Sequence, residues 1–399
     1  MYCPIHRASF STQQERLLTR SNTENRMRSS AVLISASLFA LFTVPLNQCQ
    51  NSPTQSPAPL RVGIVGLVHG HVQGFFEHSL HSPVIEIVGI AEADQSLSSR
   101  YAKQYAFDPK LLFTDLEAML ERTHPQAVLV YTNTYDHRRV VEICASHGVH
   151  VMMEKPLAVN MDDALAIEKA AHDGKIKVLV NYETTWYPSN RAAYDLIHQK
   201  ALGDVRKVVV HDGHSGPKEI SVSPEFLSWL TDPKLNGGGA LFDFGCYGAD
   251  LMTWLMDGQR PETVTAVTQQ IKPEIYPRVD DEATVILTYP KAQAIVQASW
   301  NWPFDRKDME VYGQTGYVIT VKRDDIRVRR AGGPEEQIAA KPLSAPYDNP
   351  LSLLKAVVVD GMNPDGLSSL ETNITVTEIL DAARRSAASG QTIRLPASR

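Results

Sequence analysis

The sequence has few cysteines and no excess of basic residues, and both shortages narrow the classes of protein to consider. Its 399 residues contain four cysteines, with no CxxC pair and no regular spacing, which disfavours a disulfide framework or a zinc ribbon. Acidic residues outnumber basic ones by 45 to 39, whereas a nucleic-acid binder needs clustered lysine and arginine to displace counterions. Because 43% of the residues are hydrophobic, the chain is not disordered, and we expect a folded protein that acts on small molecules rather than on nucleic acid.

The first 59 residues contain no lysine and differ from the rest of the chain. They hold five arginines and two acids, so the residues that follow carry 34 basic and 43 acidic side chains. An apolar run of 14 residues, Ala31–Val44, follows Arg26 and Arg28 and precedes a stretch rich in Pro, Ser and Gln. Fourteen residues are too few to cross a bilayer core of about 30 Å. We therefore expect an export signal and linker over residues 1–59, placing the protein in the periplasm or at a membrane, or in the cytoplasm if this leader is not functional.

The remaining length predicts two domains, because domains typically have about 100 to 200 residues. We set their boundaries at 60–182 and 183–399. A β-branched run, LRVGIVGL, starts at Leu60 and enters the turn HGHVQG, after which FFEHSL has an amphipathic pattern. Strand, glycine turn and helix start form a phosphate-binding unit, in which glycines let the backbone approach a pyrophosphate. The motif alone is weak, because a G-x-G-x-x-G starting at Gly66 would need glycine where Val68 and His71 stand.

A second predicted strand, VIEIVGIAEAD, ends in two acids that strengthen the nucleotide-binding interpretation. Glu92 and Asp94 lie 26 and 28 residues after Gly66. A carboxylate at this place accepts hydrogen bonds from the ribose hydroxyls and repels a 2'-phosphate, which favours NAD, with NADP still possible. The alternative is that the two residues are solvated acids at the start of a loop.

Strands and helices then alternate as far as KIKVLVNYE, which predicts a parallel sheet with helices on both faces. Ligands bind at the carboxyl ends of such strands. Three polar pairs stand at predicted strand ends: Thr132–Asn133, Glu154–Lys155 and Asn181–Tyr182. The neighbouring histidines His69, His71 and His78 suggest a metal site, but no carboxylate or cysteine partner is evident in the sequence, and we expect no metal.

The second half reads as a series of strands separated by short turns, which predicts an antiparallel meander. Between its first two strands lies a glycine-initiated helix, NGGGALFDFGCYGADLMTWLMDG, in which Asp243, Tyr247 and Asp250 are spaced i, i+4 and i+7 on one face. An acid and a phenol one turn apart could face a cleft. The alternative is that Tyr247 is a half-buried core residue and Asp243 a solvated or capping acid.

The segments GIVGLVHGH, TNTYDH, EKP and GGGALFDFGCYGAD together resemble the glucose-fructose oxidoreductase/inositol dehydrogenase (Gfo/Idh/MocA) family, from about Leu60 to the chain end. The resemblance implies an α/β protein: an N-terminal Rossmann dinucleotide-binding domain and a C-terminal α+β domain with an open, mainly antiparallel sheet. It also implies NAD(P)-dependent oxidation or reduction of sugars and polyols, and a homodimer or homotetramer formed through the C-terminal sheet.

By the same resemblance, Lys155 contacts the nicotinamide ribose and the reacting hydroxyl, and Asp243 lies in the site. Tyr247 stands where many relatives have histidine. We expect Tyr247 to be the acid/base, Asp243 to orient, and the Lys155 ammonium to lower the pKa of Tyr247, although Lys155 and Tyr247 could exchange roles. The expected cofactor-binding residues are Gly66, Val68, His69, Gly70, His71, Glu92, Asp94, Thr132, Asn133, His137, Glu154, Lys155 and Pro156.

The substrate expected from these residues is a neutral sugar or polyol. Thr185 stands where many relatives carry arginine, so a phosphorylated or strongly acidic substrate is disfavoured. Trp186, Trp229 and Trp300 are candidates for stacking on a sugar face, or alternatively core residues. Two other functions stay open: a redox-neutral, NAD-dependent glycosidase, and a non-catalytic nucleotide or sugar sensor.

Overall fold

The computed structural model describes residues 58–396, and the expected leader lies almost wholly outside them. Their first half forms a six-stranded parallel sheet in the order β3-β2-β1-β4-β5-β6, which we call sheet A. Its strands are β1 Leu60–Val65, β2 Ile85–Ala91, β3 Leu112–Phe113, β4 Ala127–Val130, β5 His150–Glu154 and β6 Val178–Asn181. The order reverses direction at β1, and the crevice beyond the carboxyl ends of β1 and β4 is where such sheets bind ligands.

Helices connect these strands and continue between the two sheets. They are α1 His71–Ser79, α2 Gln95–Tyr105, α3 Leu116–Thr123, α4 His137–Ser146, α5 Met161–Asp173, α6 Pro188–His198, α7 Pro224–Leu230, α8 Pro233–Asn236, α9 Ala240–Asp243, α10 Gly245–Leu255, α11 Pro350–Val358 and α12 Leu370–Ser389. Several begin at a residue whose side chain accepts a backbone N–H of the first turn, as Asp115, Asn160 and Ser369 do. Such caps satisfy amide groups that the helix itself leaves unpaired.

The second half forms a nine-stranded sheet, sheet B. Its strands are β7 Val205–Gly213, β8 Thr263–Gln269, β9 Glu282–Thr288, β10 Gln293–Ser299, β11 Arg306–Gly313, β12 Tyr317–Thr320, β13 Asp325–Arg329, β14 Glu335–Ala339 and β15 Ile393–Arg394. The sheet is mainly antiparallel, as expected, but it is not a simple meander. The order β14-β13-β12-β11-β7-β10-β9-β8-β15 places β7 in the centre, parallel to β10. This parallel pair is possible because α7 to α10 provide a long crossover after β7.

The helix predicted to carry Asp243, Tyr247 and Asp250 is interrupted. A short helix, α9, ends at Asp243, and α10 begins two residues later at Gly245. All three side chains are nevertheless buried, so the expectation of a solvated or capping Asp243 is wrong. Because of the break, the direction of the Asp243 side chain does not depend on the face of α10 that carries Tyr247.

Two hydrophobic clusters form the core. One joins part of sheet A to α10, α12 and the inner face of sheet B, and the other lies between sheet A, α1 and α11. In the described part of the chain, no layer covers the other face of sheet B, where alternate residues of β9 and β10 are only partly buried. Within residues 58–396, no helix combines the length and the apolar character that a membrane span needs.

Candidate active site

The turn between β1 and α1 has the geometry of a phosphate-binding loop. Gly66 has φ +79°, and a Cβ there would lie 2.6 Å from the Thr132 side chain, so this position requires glycine. The turn is tied to β4 because the His69 amide donates to the Tyr131 carbonyl at 3.0 Å. Gly70 immediately precedes α1, so the N-terminus of this helix, where the helix dipole is positive, lies at this edge of the sheet.

The two expected ribose carboxylates have different roles. Glu92 is 9% exposed, and its carboxylate accepts the amides of Leu67 in the glycine turn at 2.8 Å and of Asp94 at 2.9 Å. It therefore lies at the end of β2 beside the turn, as expected. Asp94 is exposed and caps α2, and the Ser96 hydroxyl together with two backbone amides lowers its pKa. Asp94 thus acts as a helix cap, and its contact with the cofactor stays a prediction.

Lys155 and Asp243 form a buried ion pair at the carboxyl end of β5. The Lys155 Nζ donates to Asp243 Oδ1 at 2.5 Å and to the Asp243 carbonyl at 2.9 Å, and Trp300 Nε1 donates to Asp243 Oδ2 at 2.9 Å. Burial opposes ionisation of Asp243, but the Lys155 ammonium outweighs it and lowers the pKa of Asp243 to about 2. Asp243 in turn overcomes the burial of Lys155 and raises the pKa of that amine. The peptide bond from Lys155 to Pro156 is cis.

Tyr247 lies next to this pair, but the ammonium does not make it a phenolate. The Lys155 Nζ is 5.3 Å from the centre of the Tyr247 ring, and the Lys307 Nζ is 5.1 Å from it. Burial first, and then the Glu183 carboxylate, raise the pKa of Tyr247 well above its ordinary value. The expectation that Lys155 lowers this pKa is therefore wrong, because the ammonium is committed to Asp243. Tyr247 is therefore a neutral phenol beside the Lys155 ammonium.

The histidines of the glycine turn meet a carboxylate that is distant in sequence. His71 Nδ1 and Glu154 Oε2 are 2.8 Å apart, and Asn181 Nδ2 donates to Glu154 Oε1 at 2.9 Å. Burial opposes the ionisation of Glu154, but His71 outweighs it and lowers the Glu154 pKa to about 2. His69, His71 and Glu154 offer ligand atoms that all lie within 4.8 Å of one another. Glu154 is thus the carboxylate partner that the sequence did not reveal, although its hydrogen bond to His71 already engages two of these atoms.

The remaining expected cofactor residues follow β4. Thr132 packs on Gly66, whereas the Asn133 side chain binds Asp136 and caps a short 3-10 turn. His137 is buried, its Nδ1 bonds to the Leu157 carbonyl at 3.2 Å, and burial lowers its pKa to about 4. Its Nε2 has no hydrogen-bond partner in the described part of the chain, and neither has the Nε2 of His69.

These residues fit a dinucleotide. The glycine turn leaves no room for a Cβ at Gly66, and Glu92 stands at the end of β2. Two buried imidazole nitrogens near the strand ends have no hydrogen-bond partner among residues 58–396. Buried polar atoms are normally satisfied, so unpaired ones at a strand edge indicate a ligand that supplies the missing groups.

The three tryptophans are buried, as the core alternative predicts, and none offers an open face for stacking on a sugar. Trp186 is in the core around sheet A and donates to Asn181. Trp229 donates to the Val68 carbonyl at 3.2 Å and thus lies against the glycine turn. Trp300 is fully buried behind Asp243. Each indole N–H donates a hydrogen bond to a protein oxygen, which fixes the position of the ring.

The sequence analysis missed the polar groups that sheet B contributes. Lys307 forms an ion pair with Glu183 near Tyr247. Asp212 and His214 stand at the carboxyl end of β7, and both are buried. The segment HDGH would have revealed them had strand-end polar pairs been sought in the second half as they were in the first.

Comparison with known proteins agrees with this architecture. Residues 60–182 match the model described as an oxidoreductase family with an NAD-binding Rossmann fold, and residues 190–319 match the GFO/IDH/MocA C-terminal domain. The trans-1,2-dihydrobenzene-1,2-diol dehydrogenase of Sus scrofa is 25% identical over 205 residues, 51% of this chain and 57% of that enzyme. That of Xenopus laevis is 32% identical over 164 residues, 41% of this chain and 46% of that enzyme. The matches thus span less than two thirds of these relatives.

Solved structures share the fold. An aldose-aldose oxidoreductase from Caulobacter crescentus, complexed with glycerol, superposes with a TM-score of 0.72 at 22% identity, covering 84% of this chain and all of that one. An inositol dehydrogenase homolog from Azotobacter vinelandii, complexed with NADH and myo-inositol, gives 0.71 at 17% identity, covering 85% of this chain and 98% of that one. The chain belongs to the Gfo/Idh/MocA family of NAD-binding oxidoreductases.

Proposed function

We propose that this protein is an NAD-dependent dehydrogenase that interconverts a CH–OH group of a neutral sugar or polyol and the corresponding carbonyl. The observation that carries the proposal is the buried Lys155–Asp243 ion pair beside Tyr247, at the same sheet edge as the glycine turn. Family membership supports the cofactor, and the names of the relatives, which include diol dehydrogenases, support the substrate class.

Bound NAD would supply the hydride acceptor. Lys155, in its neutral form, accepts the proton of the substrate hydroxyl as the hydride leaves the same carbon, and it becomes the ammonium that Asp243 stabilises. In the reverse direction the ammonium returns this proton to the carbonyl oxygen. The neutral Tyr247 hydroxyl donates a hydrogen bond to the same oxygen while negative charge develops on it.

The first experiment asks whether the protein has this activity. Reduced nicotinamide is followed by its absorbance with D-glucose, D-xylose, myo-inositol and trans-1,2-cyclohexanediol as substrates. We expect reduced cofactor to accumulate with at least one of them. A redox-neutral glycosidase would instead release sugar without net accumulation, and a sensor would bind NAD without turnover. Either result would contradict the proposal.

The second experiment tests the named residues. Lys155→Ala should lower kcat by ~10² or more, because it removes the group that transfers the proton. Tyr247→Phe removes a hydrogen-bond donor to a developing charge and should also lower kcat by ~10². Lys169→Ala, which alters an exposed lysine on α5, is the matched control and should keep normal turnover. Near-normal kcat in both site variants would contradict the proposed mechanism.

We also propose two properties of the whole protein. The uncovered face of sheet B pairs with a second copy, which is supported by the partly buried row Val209, Ile295 and Ile286 that runs across β7, β10 and β9. Residues 1–59 direct export, which is supported by the order of basic, apolar and polar segments around Ala31–Val44.

A further inference from the structure

Two short helices from the second half of the chain lie over the crevice of sheet A. Both α7 and α8 belong to the crossover that follows β7. In α7, the Trp229 indole N–H donates to the Val68 carbonyl at 3.2 Å, in the turn after β1. At the end of α8, the Asn236 side chain accepts the Thr134 hydroxyl at 3.4 Å, in the loop after β4. The two helices thus cover the strand ends between which a sheet of this order binds its nucleotide.

Phe226 of α7 packs directly on the phosphate-binding turn. A Cβ on Gly70 would lie 2.8 Å from the Phe226 ring, so this ring is in contact with the Gly70 backbone. The centre of the ring is also 4.7 Å from that of the His69 imidazole, and both side chains are buried. Atoms that are already in van der Waals contact leave no space for a third group. A phosphate group therefore cannot pass between Phe226 and Gly70 while the two residues are in contact.

An ion pair joins α7 to the helix that follows β2. The Arg100 Nη2 donates to Glu225 Oε1 at 2.5 Å. Arg100 lies in the second turn of α2, and Glu225 lies in the first turn of α7. Because α2 follows Glu92, the expected ribose acid, the pair lies on the adenosine side of the glycine turn. The Arg100 side chain is 50% exposed, and an exposed ion pair contributes little to stability, so this contact can break at small cost.

The position of α7 depends on contacts of this kind. The helix has seven residues, and an isolated helix of that length is not stable in water. Its place over the glycine turn is therefore determined by side chains such as Phe226, Trp229 and Glu225. A dinucleotide that binds at the turn must pass this helix.

We propose that Arg100, Glu225 and Phe226 form a latch that closes α7 over bound NAD and must open each time the nucleotide enters or leaves. The latch contacts join groups of the chain itself, so opening breaks the same contacts in both directions. The latch therefore slows the exchange of NAD without setting its affinity. The inference rests on the NAD dependence of the proposed function, but it is independent of the substrate.

The test measures the rate constants of NADH binding, kon, and release, koff, on the full chain. Stopped-flow fluorescence follows binding directly and follows release when excess NAD displaces NADH. Glu225→Gln and Arg100→Gln remove the ion pair and should each raise kon and koff about 2- to 5-fold, with Kd nearly unchanged. The double variant should behave like either single variant, because both changes break the same contact.

Phe226→Ala removes the ring that covers Gly70 and should raise both rate constants about 10-fold or more. The two ion-pair variants alter partly exposed side chains and keep the fold, so the test does not depend on Phe226→Ala alone. Arg191→Gln is the matched control, because Arg191 pairs with Asp195 on α6 and its side chain is as exposed as that of Arg100. This control should keep the wild-type kon and koff.

Two results would overturn the latch. One is unchanged rate constants in all three latch variants. The other is a rise in koff with kon unchanged, which is typical of a residue that contacts the nucleotide without controlling its access. A wild type that does not bind NADH would contradict both the latch and the cofactor. Faster NADH exchange in the variants, without turnover of any polyol by the wild type, would instead support the latch and contradict the proposed function.

Discussion

The Lys155–Asp243 ion pair predicts a pH dependence of kcat/KM that a purely structural role of Asp243 would not produce. Lys155 must lose a proton before it can accept one from the substrate, so kcat/KM for oxidation should rise with pH through the Lys155 pKa. Asp243 raises that pKa against the effect of burial. Asp243→Asn removes the largest cause that raises the pKa of Lys155, while burial still lowers it, and this pKa should therefore fall. The rise in oxidation should move at least about one pH unit toward lower pH, because an adjacent opposite charge shifts a pKa by about 1–3 units.

The measurement is the pH profile of kcat/KM for polyol oxidation in the wild type and in Asp243→Asn. The asparagine amide oxygen can still accept the Trp300 N–H, so the local hydrogen bond is preserved. Asp163→Asn, in the first turn of α5 where the carboxylate pairs with Arg138, is a control that should keep the wild-type profile. A profile that only falls in height, without moving along the pH axis, would contradict the assigned role of Asp243.

At the residue scale, the sequence predicted which groups meet but not how each is used. EKP and D-x-G are compact motifs, and the structure does bring Lys155 next to Asp243. Asp94 caps α2, and the sequence does not distinguish this role from a ribose contact, because an acid at a strand end and a helix cap occupy the same sequence position. The pKa of Tyr247 was misjudged because it depends on whether the neighbouring ammonium already has a closer anion, which only the three-dimensional arrangement shows.

The connection from β1 to α1 makes a prediction at the scale of one element. Gly66→Ala places a Cβ 2.6 Å from a Thr132 side-chain atom and 2.9 Å from the Thr132 amide, at a φ that alanine disfavours. We expect the free energy of unfolding to fall by about 2 kcal/mol or more, and NAD affinity to fall as well, because the turn must move. Chemical denaturation and a nucleotide-binding titration measure the two effects.

Gly74 provides the matched control in the same unit. It lies within α1, and a Cβ there would meet no heavy atom within 4 Å. Gly74→Ala should therefore stabilise the helix by about 0.5–1 kcal/mol and leave NAD binding unchanged. Equal behaviour of the two alanine variants would mean that the turn does not need glycine at position 66.

At the element scale, local patterns predicted most strands and helices, and the errors arose where pairing is non-local. Alternation of strand and helix determines a parallel sheet, which sheet A confirms. The insertion of β7 between β10 and β11 could not be read from the order of segments, because it depends on which strand edge is left free after the crossover. This placement also brings Asp212 opposite Lys307, so the missed topology and the missed site residues have one cause.

The uncovered face of sheet B makes a prediction about the whole molecule. Val209, Ile295 and Ile286 are cross-strand neighbours and only partly buried, which leaves an apolar row across the middle of the sheet. A charge in this row should disfavour an interface between two copies. We expect the wild type to have at least twice the monomer mass in light scattering coupled to size exclusion, and Ile295→Glu to be monomeric. Ile271→Glu, at an exposed site outside the strands, should keep the wild-type mass, and a monomeric wild type would contradict the proposal.

The last prediction concerns the leader and the cofactor, because an export signal and a need for NAD imply different compartments. The export that we propose residues 1–59 direct would separate the enzyme from the cytoplasmic NAD pool. No twin-arginine signal, which would export a folded protein with its cofactor bound, precedes the apolar run. An exported dehydrogenase must therefore hold its cofactor through many turnovers. We expect N-terminal sequencing of the native protein to begin after Val44, and mass spectrometry to find NAD retained after dialysis. A native protein that begins at Met1 or Met27 and loses its nucleotide on dialysis would be a cytoplasmic enzyme that exchanges NAD freely.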